Sequence, residues 1–190
     1  MNHSETSSRG TLAFIAFING VMGFVVSTLA VPAQSTALAA AGLNLLRDSV
    51  EAWVALWVSL GVFRRPEIIT RIVGVIMILL GVGVAAIAVG RLAYGSTPDP
   101  ATIAVVGTLA LFTNLATIAV TRRRRLRAGG LTVQTDGFWK TSLNEAAGHI
   151  AVIATALIIA LTGSNIPDIA VGAAVAGMFI RRGFATVMAA

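Results

Sequence analysis

Residues 39–57 read AAAGLNLLRDSVEAWVALW, and this stretch decides the fold. It places Asn44, Arg47, Asp48 and Glu51 inside an apolar run long enough to cross a bilayer, where ionisable groups mark function by default. A second stretch, WKTSLNEAAGHIAVIATALIIAL from Trp139 to Leu161, sets Lys140, Thr141, Asn144, Glu145 and His149 in another apparent span. The remaining chain reads as the frame that brings these two helices together.

Composition supports a membrane setting. Of the 190 residues 56% are hydrophobic and 12% charged, and the mean hydropathy of +0.86 is too high for a water-soluble domain of this length. At roughly 20 apolar residues per span there is room for about six helices and short loops. The expectation is therefore all-α: a single six-helix transmembrane domain over 1–190, with spans at about 11–31, 36–63, 68–93, 101–120, 137–161 and 166–180. Val31-Pro32-Ala33 imitates a signal-peptidase site, but the preceding apolar run is longer than a signal core, so it is read as the first span. Prolines 32, 66, 98, 100 and 167 all fall in connections or at span ends, where a missing backbone donor is harmless.

The net charge of +6 would suggest nucleic acid in a soluble protein. Here the arginines flank apolar segments instead, which is a topology signal, so no nucleic-acid partner is expected. Arg9, Arg64, Arg65, Arg71, the loop arginines 122–125 and 127, and Arg181 and Arg182 fall on one side, with only Arg91 near the other. The positive-inside rule then puts both termini in the cytoplasm, and the arginine run adds contact with anionic membrane lipid. With no cysteine, disulfides and thiolate metal sites are excluded. No phosphate-binding loop, zincin motif or nucleophile elbow is present, so the chain reads as a non-enzyme with no cofactor.

The second and fifth spans are antiparallel in this scheme. Asn44 and Asp48 are four apart on one, Thr141 and Glu145 four apart on the other, so each pair shares a helix face. Facing one another, the four oxygen-bearing side chains make a cage for a divalent cation, with metal ligands Asn44, Asp48, Thr141 and Glu145. The bland alternative is that these groups glue helices together. Arg47 and Glu51, also four apart, are expected to pair, and Lys140 to snorkel, which leaves Asp48 and Glu145 without an obvious basic partner. His149, one turn beyond Glu145, is open to three readings: a further ligand, a proton acceptor or a packing residue. Asn19 and Asn114 are expected to form interhelical hydrogen bonds.

These residues resemble the cation diffusion facilitator family, proton-coupled exporters of divalent transition metals, across essentially all six helices. The family's SxALxADAxHxLxD segment is similar to QSTALAAAGLNLLRD here, aligning Asn44 and Asp48 with its ligand positions. Its fifth-helix HxxxD pattern and following TG turn are similar to TSLNEAAGHIAVIATALIIALTGSNIPD, aligning Thr141 with the histidine and Glu145 with the aspartate. Asp168 falls where the family commonly starts helix six with Asp-Pro, and Asn114 where helix four often carries Asn. The chain departs from the pattern in having no histidine in either pair, Ala41 in place of an aspartate, no FGYGR-like loop and no counterpart of the C-terminal cytoplasmic domain.

The resemblance implies a multi-pass exporter in the cell inner membrane. It would be a homodimer working by alternating access, exchanging a divalent cation for protons at a site between helices two and five. An all-oxygen set favours Mn²⁺ or another hard cation over Zn²⁺. Gly172 with Ala176, and Ala173 with Gly177, offer a small-residue contact surface on helix six. The competing expectation is a non-transporting member with a degenerate metal site, acting structurally or through partners; a carrier for another small solute is a third.

Overall fold

The structure, a computed structural model, describes the backbone of residues 3–62, 66–128 and 133–189, and the side chains of 9–62, 67–123, 143 and 145–189. Six α-helices follow one another: α1 His3–Ala30, α2 Thr36–Ser59, α3 Pro66–Tyr94, α4 Pro100–Ala128, α5 Val133–Thr162 and α6 Ile166–Ala189. No strand occurs among the described residues. Five helices contain segments long and apolar enough to cross a membrane: Arg9–Ala30, Glu67–Tyr94, Pro100–Arg123, Glu145–Thr162 and Ile166–Ala189. Their apolar side chains line the outside as well as the core, with Phe17, Phe24, Leu79, Val89, Phe112 and Leu157 all exposed. Water would not tolerate such a surface, and it fits a multi-pass helical membrane protein.

The second expected span is missing from those five because Arg47, Asp48 and Glu51 fall in its middle. Instead of meeting lipid all round, α2 takes the centre. Among the described residues it is the helix that touches every other one, while α1 lies along α2, α3 along α6 and α4 along α5. The largest buried cluster, with Val26, Leu38, Leu45, Ile103, Val152 and Ile159, joins α1, α2, α4 and α5. The sequence thus places the helix with charges at its middle among five that can face hydrocarbon.

Boundaries differ from the sequence-based ones in two instructive places. α2 was expected to reach 63 but ends at Ser59, with Leu60 as C-cap and Gly61 in the left-handed region at φ 71. α6 was expected to stop at 180 but continues through Arg181 and Arg182 to Ala189. The extension is held by α3: a Cβ on Gly183 would meet the Gly74 carbonyl at 2.6 Å, so the two backbones touch there. Of the α3 glycines, Gly74 and Gly81 face α6, whereas Gly83 and Gly90 face open space. The helix-six surface divides in the same way. Gly172 packs against Thr36 and Ala176 is buried within the chain, while Ala173 and Gly177 lie outside.

The connections α1–α2, α3–α4 and α5–α6 gather at the end of the bundle away from the chain termini and are tied together there. Gln34 Oε1 accepts from Thr97 N at 3.0 Å, Asp99 N donates to Ala33 O at 3.1 Å, and Asn165 Nδ2 donates to Ser96 Oγ at 3.1 Å. Asp168, at the start of α6 and fully buried, accepts from Ser35 Oγ at 2.5 Å, Thr36 N at 2.6 Å and Ala37 N at 3.2 Å. A carboxylate from α6 therefore caps the N-terminus of α2, where free N–H groups and the helix dipole favour a negative charge. Arg91 of α3 completes the knot, donating to Thr36 Oγ1 at 3.1 Å and lying 3.7 Å from Asp168 Oδ2.

Candidate functional site: a buried charge cluster on α2, α5 and α6

Asp48 sits twelve residues into α2, roughly 18 Å along the helix from the Asp168 cap at 1.5 Å per residue. Packed against this level are Glu145 of α5 and Phe179 and Arg182 of α6. The centre of the group is Arg47. Its Nη2 donates to Asp48 Oδ1 at 2.5 Å and also to Glu145 Oε1, and its Nε lies 3.2 Å from Asp48 Oδ1 and 3.4 Å from Glu51 Oε1. The Phe179 ring covers the guanidinium, with its centroid 5.6 Å from Cζ. Arg182 Nη1 approaches Glu145 Oε1 at 3.9 Å from the other side, and Asn114 Nδ2 donates to Glu145 Oε2 at 3.3 Å.

The expectation that Asp48 and Glu145 have no basic partner is corrected by this geometry. Neighbours in sequence point about 100° apart on a helix, which made Arg47 look directed away from Asp48. The arginine side chain is long enough to curl back, and burial drives it to do so, since an unpaired charge in a low-dielectric interior is expensive. The expected Arg47–Glu51 pair does form, but as one contact of a guanidinium shared among three carboxylates.

Burial grades the cluster. The side chains of Arg47, Asp48 and Glu145 are 3%, 6% and 4% exposed, against 37% for Glu51 and 39% for Arg182. Its inner part is thus two carboxylates on one guanidinium, and a third carboxylate and a second guanidinium lie at its margin. The margin adjoins a cavity of about 70 Å³, room for a few water molecules, between α2, α5 and α6. Asn44, Arg47, Glu145, His149 and Arg182 are its polar lining, set among residues such as Ala41, Val152 and Met178.

Three of the expected ligands are therefore found together in one region: Asp48 and Glu145 joined through Arg47, and Asn44 on the cavity wall beside them. The Thr141 side chain lies outside the described residues, as do those of Lys140 and Asn144. His149 is 2% exposed, lines the cavity and has neither ring nitrogen hydrogen-bonded among the described residues. Among the described residues no three His, Cys, Asp or Glu side chains form a group able to hold a metal ion. Asn19 and Asn114 do what their positions suggest, bonding Thr117 at 3.3 Å and Glu145 at 3.3 Å across helix contacts. The Asp168 cap on α2 went unread in the sequence. Its one signal was the Ser35–Leu38 capping geometry, which is local, whereas the carboxylate arrives from 133 residues away.

The fold and the cluster define a class: a multi-pass helical membrane protein with a charged cluster buried between helices. No family model matches the chain, and comparison with curated proteins finds no match.

Proposed function

We propose that the chain is a secondary carrier that moves a cation across the membrane in exchange for protons, with Asp48 and Glu145 as the groups both species share. The observation that carries this reading is the charge imbalance. Asp48, Glu51 and Glu145 surround a single buried guanidinium, and among the described residues only the half-exposed Arg182 approaches from outside. Carboxylates in excess of cations in a membrane interior attract a mobile cation or a proton, and a bound cation and a proton exclude one another at the same oxygens. The adjoining cavity, with Asn44 on its wall and His149 free of a hydrogen-bond partner among the described residues, offers the arriving ion an oxygen, a nitrogen and a little water.

The sequence resemblance to the cation diffusion facilitators supports a divalent metal as substrate, with Mn²⁺ or another hard cation favoured by the oxygen-rich set. It supports export across the cell inner membrane with both chain termini in the cytoplasm, and a homodimer using the outward small-residue face of Ala173 and Gly177. Thr141 belongs to this ligand set as a proposal.

A second reading rests on one specific observation: Arg47 already bonds both Asp48 and Glu145. In that reading the cluster is a self-neutralised clamp holding α2 to α5, and the protein is a structural or partner-binding member with a degenerate site. Cation-driven proton flux in proteoliposomes separates the two, comparing Mn²⁺, Zn²⁺, Co²⁺, Fe²⁺ and Mg²⁺. The carrier reading expects flux with at least one ion in the native protein and none in Asp48→Ala or Glu145→Ala. Absence of flux with every ion, or flux that survives both substitutions, supports the clamp.

A further inference from the structure

We infer that Arg47 is a tethered competitor for the cation site, resting on Asp48 and Glu145 when the carrier is empty and retreating to Glu51 when a divalent cation takes its place. The inference rests on the carrier reading and adds how the site selects its cargo.

The guanidinium is already in contact with both positions. Nη2 bonds Asp48 and Glu145, while Nε lies between Asp48 Oδ1 at 3.2 Å and Glu51 Oε1 at 3.4 Å, the latter one helical turn along α2. A small rotation of the side chain therefore gives up the first pair without leaving the arginine unpaired. Glu51 is suited to hold it, since its side chain is 37% exposed and makes no other ion pair among the described residues. Phe179 accompanies the guanidinium at 5.6 Å and can shield it during the move. Asp48 and Glu145, which now meet through one donor atom, are then left to share an ion, with Glu145 on the cavity wall beside Asn44 and His149.

Competition of this kind filters by charge. Attraction to two carboxylates at a given distance scales with the charge of the ion. A monovalent ion that displaces Arg47 replaces one positive charge by one and forfeits the guanidinium's hydrogen bonds. A divalent ion replaces one by two. The arginine thus sets a threshold that Na⁺ or K⁺ does not cross, and it keeps the empty site from standing as two bare carboxylates in hydrocarbon.

The test is isothermal titration of the full-length protein in nanodiscs with MnCl₂, repeated in the presence of NaCl. The proteins compared are native, Arg47→Gln, Glu51→Gln and the double variant. Removing a close competing charge is expected to tighten Mn²⁺ binding by about tenfold or more and to let Na⁺ compete. Glu51→Gln, at a partly exposed site, is expected to weaken binding by roughly tenfold in the native background and by much less when Arg47 is absent. An Arg47→Gln protein that elutes as a single species yet binds no more tightly than native overturns the inference. So does a Glu51→Gln effect of equal size in both backgrounds, which would be plain loss of a negative charge. If Mn²⁺ binds neither native nor Arg47→Gln protein, the carrier reading fails with it. Binding confined to Arg47→Gln leaves Arg47 as the competitor and overturns transport by the native chain.

Discussion

Replacing Asp168 by alanine tests how the bundle is closed at the end away from its termini. The carboxylate is fully buried and receives the Ser35 hydroxyl and two backbone N–H groups of α2, with Arg91 3.7 Å away. Hydrogen bonds to a charged acceptor contribute about 1.5–3 kcal/mol each, but they share one group and are not additive. Deleting one partner of such a buried set typically costs about 3–5 kcal/mol. Here the Thr36 and Ala37 N–H groups would be left at a buried helix start with no replacement acceptor. At roughly 2–4 °C per kcal/mol for a chain of this size, Asp168→Ala should melt about 6–20 °C below the native protein. Asp168→Asn keeps the shape and one acceptor oxygen and should fall between the two. The assay is thermal unfolding of the purified protein in one detergent, followed by intrinsic tryptophan fluorescence and by loss of the monodisperse peak. A melting temperature for Asp168→Ala within a degree of native would refute the reasoning, because among the described residues no other side-chain acceptor from a distant segment caps α2.

Three further outcomes follow from the same contacts. Gly42→Ala should lower stability by about 1–3 kcal/mol because the new methyl would run into the Ser27 backbone nitrogen at 2.6 Å, whereas Gly177→Ala, which faces open space, should be neutral or stabilise by roughly 0.5–1 kcal/mol; detergent melting of the pair compares them. Ser35→Ala removes both the N-cap bond to Leu38 N at 3.0 Å and the donor to Asp168, and should cost about 1–2 kcal/mol in the same assay. Asp99, at the start of α4, is held below the usual carboxylate range by its bond from the Thr102 hydroxyl and then by the Ala101 and Thr102 N–H groups. A depressed carboxylate stabilises the fold above its unfolded pKa, near 4, and loses that contribution as pH falls through the lower folded value; a melting-temperature profile from pH 6 to pH 2 should therefore fall less steeply for Asp99→Asn than for native protein.

The helices were legible because lipid imposes the same demand on every span, and apolar length answers it. The end of α2 was less legible: the apolar run continues to 63, whereas the helix stops at Ser59 ahead of Gly61 in the left-handed region. What spacing alone left unread is the direction taken by flexible side chains and the arrival of partners from distant helices. Helical periodicity fixes where Arg47 leaves the backbone, not where three carboxylates draw its guanidinium. The pairing of Asp48 with Glu145 across α2 and α5 was visible as two charged spans that must meet, and they do meet, through an arginine. The extension of α6 past Arg182 was hidden because its stop looked like a basic interface, while the reason it continues is the contact of Gly183 with Gly74 on α3.

The most direct test of the carrier account is to locate the ion. An anomalous difference map from crystals of the native protein grown with Mn²⁺ is predicted to show a peak between α2 and α5. The peak should lie within ligand distance of Asp48 and Glu145, with the Arg47 guanidinium turned toward Glu51. A well-ordered map with Arg47 still bonded to both carboxylates and no Mn²⁺ beside them would contradict the account.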